Sequence, residues 1–340
     1  MRNIKTYRIT FILLGLLILL SFLSLFIGVI EVDISALLKG DVEQWNIFLV
    51  SRLPRLLAIL CTGIGMSVSG LIMQQLCMNK FVSPTTGATL SSAKLGILIA
   101  LVFLPGSTLW GRAIFSFVFA LLGTWIFVWF IQSIKFKDTI MVPLIGIMFG
   151  NIIGGITGFL AYRYEMTQAL TSWESGHFSL VLRGRYEIVY LVLPLIILAF
   201  IFSSHFNIVG MGKEFSSNLG VNYKVVLVMG LSIAAAITAS IVVVVGSISY
   251  IGLIIPNIVA LYKGDKLSGT LPDTALLGAL FVLISDMLAR TIIAPYELPI
   301  SFVIGIIGSL MFIAIIFHKL KGGKKLRKGV GINGNKCSCS

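Results

Sequence analysis

The sequence predicts an all-α, polytopic membrane protein of about ten transmembrane helices, and three observations carry that prediction. Hydrophobic residues make up 57% of the 340 residues and charged residues only 11%, with a mean hydropathy of +1.02; a soluble domain carries about 25% charged residues. Uncharged runs close to the ~20 residues that a helix needs to cross a bilayer recur along the whole chain. The formal net charge of +13 sits between those runs and in a cluster after His318. That distribution fits loops on the cytoplasmic face of a bilayer and argues against a nucleic-acid partner.

The elements follow in order. A basic leader (Arg2, Lys5, Arg8) precedes an uncharged run from Ile9 to Ile30. A signal peptide has an apolar region of about 7 to 15 residues and a small-residue cleavage site, so 9–30 reads as an uncleaved first span. "SRLPRLL" opens the second span, 52–79. The third, 84–104, contains Lys94, and the fourth, fifth and sixth are 113–134, 139–162 and 188–205. The uncharged stretch 225–262 holds two more, 225–246 and 250–262, with "GSISYIG" as the turn between them. The ninth, 273–294, contains Asp286 and Arg290; the tenth is 298–317, followed by a basic tail, 318–340. One transmembrane domain thus fills 1–340, without a soluble domain.

Ten spans put both termini on one side. With the termini inside, 17 Lys and Arg residues face the cytoplasm and 8 face outward, the orientation that the positive-inside rule favours. Arg52 and Arg55 then lie outside, against the rule. A short likeness between "GLIMQQ" (70–75) and "GLIIPN" (252–257) raises an internal duplication. Halves of five spans would be related by inversion in the membrane.

Several chemistries are missing. There is no H-E-x-x-H and no G-x-x-x-x-G-K-[ST] loop, so neither a zinc hydrolase nor ATP binding through a P-loop is expected. His177, His205 and His318 fall in loops or at span ends, and Asp286 is the acidic residue well inside a span. Cys61, Cys77, Cys337 and Cys339 suggest neither a disulfide framework nor a metal site, and no cofactor is implied. A membrane sensor or enzyme, the alternative of another class, would need a catalytic or signalling domain in the cytoplasm.

"SRLPRLLAILCTGIGMSVSGLIMQQLCMNKFVSPTTGATL" resembles the opening block of FecCD-type permeases, the membrane subunits of binding-protein-dependent ABC importers for iron–siderophore complexes, haem and cobalamin. "GSISYIGLIIPNIV", "LPDTALLGA", "SDMLAR" and "ELPISFVIGIIGS" resemble the family's C-terminal blocks, in the family's order, and the likeness spans about residues 10–318. It implies the type II importer permease fold of ten helices in a bacterial cytoplasmic membrane. It also implies a second permease subunit, two ATPase subunits inside and an extracytoplasmic siderophore-binding protein. "NKFVSPTT" departs from the common N-P-L-A-x-P, and "PNIVALYKG" from P-H-x-x-R-L. Both variants resemble a subgroup associated with catecholate-type siderophores such as petrobactin or enterobactin, in which a heterodimer of permeases is common. Haem or cobalamin is the alternative cargo.

The resemblance assigns docking of the binding protein's acidic residues to Arg52 and Arg55, with Arg290 as a third such arginine. Read alone, the pair shares a face at a helix start, where the macrodipole disfavours cations; snorkelling into headgroups is the plain alternative. Asp286, four residues before Arg290, is a candidate neutraliser. Lys94, ten residues past Pro84 and about 15 Å along a helix, would sit near the midplane, where a charge costs at least about 2.5 kcal/mol. It either lines the route of an anionic ferric complex or pairs with Asp286 or a polar neighbour. "GMGKEFSSNLGV" resembles the segment that seats on the ATPase, which assigns coupling to Gly212, Lys213, Glu214, Leu219 and Gly220; a plain connector is the alternative. Gln74 and Asn257, like Gly70, Gln75 and Asn151, either permit helix packing or line the translocation path.

Overall fold

The computed structural model describes residues 2–28, 41–86, 88–104, 106, 108–133, 141–179, 181–184 and 186–329. Lys39, Lys135, Lys137, Arg185, Lys336, Cys337 and Cys339 lie outside the described residues. Every described element is helical: α1 (Arg2–Phe26), α2 (Val42–Leu76), α3 (Thr89–Phe103), α4 (Leu109–Ser133), α5 (Met141–Arg163), α6 (Thr167–Ser175), α7 (Val192–Ile201), α8 (Ser203–Val209), α9 (Lys213–Asn218), α10 (Tyr223–Val245), α11 (Ile251–Lys263), α12 (Leu267–Thr291) and α13 (Ile300–Gly329). Seven of these are long and apolar enough to cross a membrane. A 3-10 turn, Glu187–Leu191, leads into α7, which bends by 60° into α8, and with this bent pair the shorter apolar helices α3 and α11 make ten apolar segments among the described residues.

α2 is the axis of the bundle. It is almost wholly buried and packs against α7, α10, α11 and α12. Small residues bring its neighbours close: a Cβ on Gly63 would lie 2.5 Å from the Gly278 carbonyl of α12. A Cβ on Gly70 would collide with the Gly252 backbone of α11. Close backbone approach through small residues is how helices associate where lipid offers no hydrophobic contrast. The likeness between "GLIMQQ" and "GLIIPN" is therefore a contact, since the two glycines that open these stretches cross. At the rim, α1, α4, α5 and α13 expose Phe11, Ile18, Trp129, Ile152, Phe159 and Leu310, a surface suited to lipid rather than water.

Two non-helical stretches lie partly buried among the helices, 77–86 ahead of α3 and 246–250 ahead of α11. Backbone away from water must find partners. Thr86 Oγ1 accepts from Ser83 N at 2.8 Å and donates to Phe81 O at 3.2 Å. Leu90 N donates to Pro84 O at 3.1 Å. At the second stretch, Val245 O accepts from His177 N at 3.0 Å and Ser247 O accepts from Ser301 Oγ at 2.6 Å. Both short helices start after a non-glycine residue with positive φ, Ala88 (60°) and Tyr250 (71°).

The structure revises two readings of the second and third spans. α2 begins at Val42, capped by Asp41, whose carboxylate accepts from Glu43 N at 3.0 Å. Arg52 and Arg55 are therefore interior to a helix, and the macrodipole argument against them does not apply. A π turn, Phe48–Arg52, precedes Pro54. Pro54 has no N–H to offer the preceding turn, and Val50 O accepts instead from Arg183 N at 3.1 Å, which ties the 176–187 connection to the break. α3 begins at Thr89, not Pro84. Lys94 thus lies about 8 Å, not about 15 Å, along a helix of about 22 Å, just short of its middle, and is only half-buried.

Candidate functional site

The bundle has two polar ends. At the first, the end of α1 meets Arg52 of α2 and Arg290 near the end of α12. Arg55 reaches Asp286 at 2.8 Å and Glu297 at 2.8 Å. Arg290 reaches the other Asp286 oxygen at 2.7 Å. Arg290 also donates to Ser24 Oγ at 2.6 Å and to Ile27 O at 2.5 Å. Ile27 O accepts from Arg52 Nη1 as well, at 2.7 Å. A helix leaves its last carbonyls without partners and carries partial negative charge there, so the end of α1 acts as a third anionic group. Three arginines, two carboxylates and one helix terminus form a nearly neutral cluster. A Cβ on Gly28 would run into the Arg52 guanidinium, so glycine there leaves the room Arg52 needs.

Burial grades this cluster. Asp286 is 1% exposed and Arg290 4%. The Arg55 and Glu297 side chains are 12% and 22% exposed. An open cavity of about 430 Å³ lies against Arg52, Arg55, Ser179 and Glu297. Arg52 and Arg55 thus face a space that a partner can enter, whereas Arg290 sits behind them, committed to α1 and Asp286.

The opposite end carries α8 and α9. Gly212 (φ 109°) and Gly220 (φ 73°) bracket α9 in conformations that a side chain disfavours. Lys213 opens the helix and Glu214 lies in its first turn, where the macrodipole favours an anion. Met211, Phe215 and Leu219, spaced four apart, are 62%, 43% and 55% exposed. Asn207 Oδ1 accepts from Leu267 N, the first residue of α12, at 3.1 Å. Nearby, the fully buried Asp273 holds Lys263 at 2.8 Å and accepts from Thr10 Oγ1 at 2.6 Å. Lys80 and Asp265 form an exposed pair at 2.7 Å.

Between the ends, Gln74 Nε2 donates to Gly252 O and Leu253 O, both at 3.2 Å. Asn257 Nδ2 donates to Lys80 O and Leu253 O, both at 2.8 Å. Gln74 fastens α2 to α11, and Asn257 fastens α11 to the non-helical stretch that follows α2. Asp286, on α12, is taken by Arg55 of α2 and Arg290 of its own helix, whereas the helix that carries Lys94 packs on α4, α5 and α10. Glu297, Asp273, Asn207 and Ser24 were not singled out by the sequence. Glu297 had a signal: it is the acidic residue nearest to Arg290 in the stretch that follows it.

Comparison with known proteins decides the family. The profile of the FecCD transport family matches residues 16–318. The chain belongs to the FecCD transport family. Among relatives, this FecCD protein is 46% identical over 304 residues to the petrobactin import system permease protein YclN of Bacillus subtilis, covering 89% of this chain and 96% of that one. It is 38% identical over 301 residues to the ferric-anguibactin transport system permease protein FatD of Vibrio anguillarum, covering 88% and 95%. A solved structure described as an inward-facing conformation of a metal-chelate type ABC transporter superposes with a TM-score of 0.80 at 26% identity, covering 92% of this FecCD chain and 99% of that chain.

Proposed function

We propose that the chain is the permease subunit of an ABC importer that moves an iron(III)–siderophore complex of the petrobactin class across the cytoplasmic membrane. The observation that carries this reading is the 46% identity to a petrobactin import permease over nearly the full length of both chains. In this reading ATP is hydrolysed by two partner subunits, and a second permease, different from this one, completes the pathway. The excess of Lys and Arg on one set of loops supports cytoplasmic termini. The α9 end then faces the ATPases, with Met211, Phe215 and Leu219 as an apolar knob and the two glycines setting its angle. The arginine end faces out, where Arg52 and Arg55 receive acidic residues of a binding protein and Arg290 holds the α1 terminus behind them. Lys94 supplies a cation beside the route of an anionic chelate.

The test is uptake of radiolabelled iron in a strain lacking this chain, with iron supplied as its petrobactin, enterobactin or haem complex, and labelled cobalamin in parallel. Loss of petrobactin-borne iron alone, restored by the intact chain, is the expected result. Retained uptake of both siderophores with loss of haem or cobalamin uptake would overturn the reading.

A further inference from the structure

The two carboxylates on Arg55 differ in kind. Asp286 is buried on α12 and shared with Arg290, so its loss would strand two buried cations. Glu297 sits on the 292–299 turn and meets Arg55 Nη1 with both oxygens, at 2.8 and 3.0 Å. Its side chain is partly exposed and borders the open cavity beside Arg52. Arg55 Nε donates to no acceptor among the described residues. A guanidinium offers five donors in a fork matched to carboxylates, so Arg55 is held by Asp286 without being filled by Glu297.

We propose that Glu297 is an exchangeable counter-ion. It occupies on Arg55 the place that a carboxylate of a docking protein takes, and it leaves Arg55 when that carboxylate arrives. The proposal rests on the docking reading of Arg52 and Arg55. Exchange of one carboxylate for another never leaves the half-buried cation bare, which a vacant site would. It also selects the partner: an acidic side chain long enough to enter the cavity can displace Glu297, and a neutral polar one cannot. Displacement has a structural consequence, because the turn that carries Glu297 joins α12 to α13. Leu298 N in that turn donates to Ala289 O at 3.0 Å, and Ile300 N just beyond it donates to Gly176 O at 3.2 Å. Docking thereby acts on the link between two helices and on the loop beside Ser179.

The experiment measures affinity of the purified solute-binding protein that supplies this permease for the assembled importer in lipid nanodiscs. Glu297→Gln removes the competitor and keeps the side-chain shape; docking is expected to tighten about tenfold. Arg55→Gln is expected to weaken docking by at least about tenfold, and in that background Glu297→Gln should give no gain. Unchanged or weaker docking in Glu297→Gln, with Arg55→Gln still weakened, overturns the exchange and leaves the docking reading standing. Normal docking in Arg55→Gln removes the docking reading itself. An equal gain from Glu297→Gln with or without Arg55 assigns the effect to lost negative charge and likewise overturns the exchange. If Glu297→Gln does not assemble, Glu297→Asp, a shorter and weaker competitor, should shift docking in the same direction by less.

Discussion

On the proposed function, the two ends of this bundle would meet their partners in opposite ways. The arginine end hides its charges: Arg52, Arg55 and Arg290 are paired within the chain with Asp286, Glu297 and the terminus of α1. The α9 end shows its apolar side chains, and among its charges Lys80 and Asp265 pair in the open while Lys263 meets the buried Asp273. A partner at the first end must replace contacts that already exist. A partner at the second end only has to cover Met211, Phe215 and Leu219. Replacement gives selectivity and an internal signal, whereas covering gives adhesion, and a transporter driven from one side and fed from the other has use for both.

Three variants would break or sharpen this contrast. The largest effect is expected from Asp286→Ala, which leaves Arg55 and Arg290 facing each other in a buried site; removing one partner of such a pair costs about 3 to 5 kcal/mol. A strongly lowered melting temperature and poor yield in detergent are expected, and an unchanged melting curve would show the arginine end not to depend on internal pairing. Next, Phe215→Ser with Leu219→Ser should leave melting unchanged, because both side chains are exposed, while binding of the ATPase subunits falls about tenfold or more. Co-purification of the ATPase at normal ratio would remove α9 from the interface. The smallest effect belongs to Lys80→Gln. An exposed pair is worth about 0 to 1 kcal/mol, so neither melting nor iron uptake should move, and a large loss of uptake would mean that this pair takes part in transport.

Much of the architecture was legible because bilayer thickness writes itself into apolar run length. The starts of α2 and α3 were not, for two physical reasons. α2 opens with "DVEQWNI", whose Asp41 and Glu43 made a reading based on charge-free runs begin ten residues late, although Asp41 is the residue that caps the helix. Conversely, 84–86 is uncharged but not helical, held by Ser83 and Thr86 hydroxyls, and Ala88 just before α3 has a positive φ. Lack of charge is not the same property as helix. At the site, the short helix between Gly212 and Gly220 could be read locally, since glycines and spacing are local signals. The anionic partners of Arg52 and Arg55 could not, because they come from α12, the 292–299 turn and backbone carbonyls at the end of α1. A carbonyl has no letter in the sequence.

The ion pair between Arg55 and Asp286 also has a history written into it. The two residues lie 231 positions apart, and a ribosome reads them in order. α1 and α2 are therefore made and placed long before α12 emerges with the aspartate. Until then Arg55 has no internal anion, and Glu297 is later still. The arginine end is the last region of the nascent chain to become electrically complete, so a protein interrupted before α12 exposes its unfinished state as uncompensated positive charge at the membrane surface.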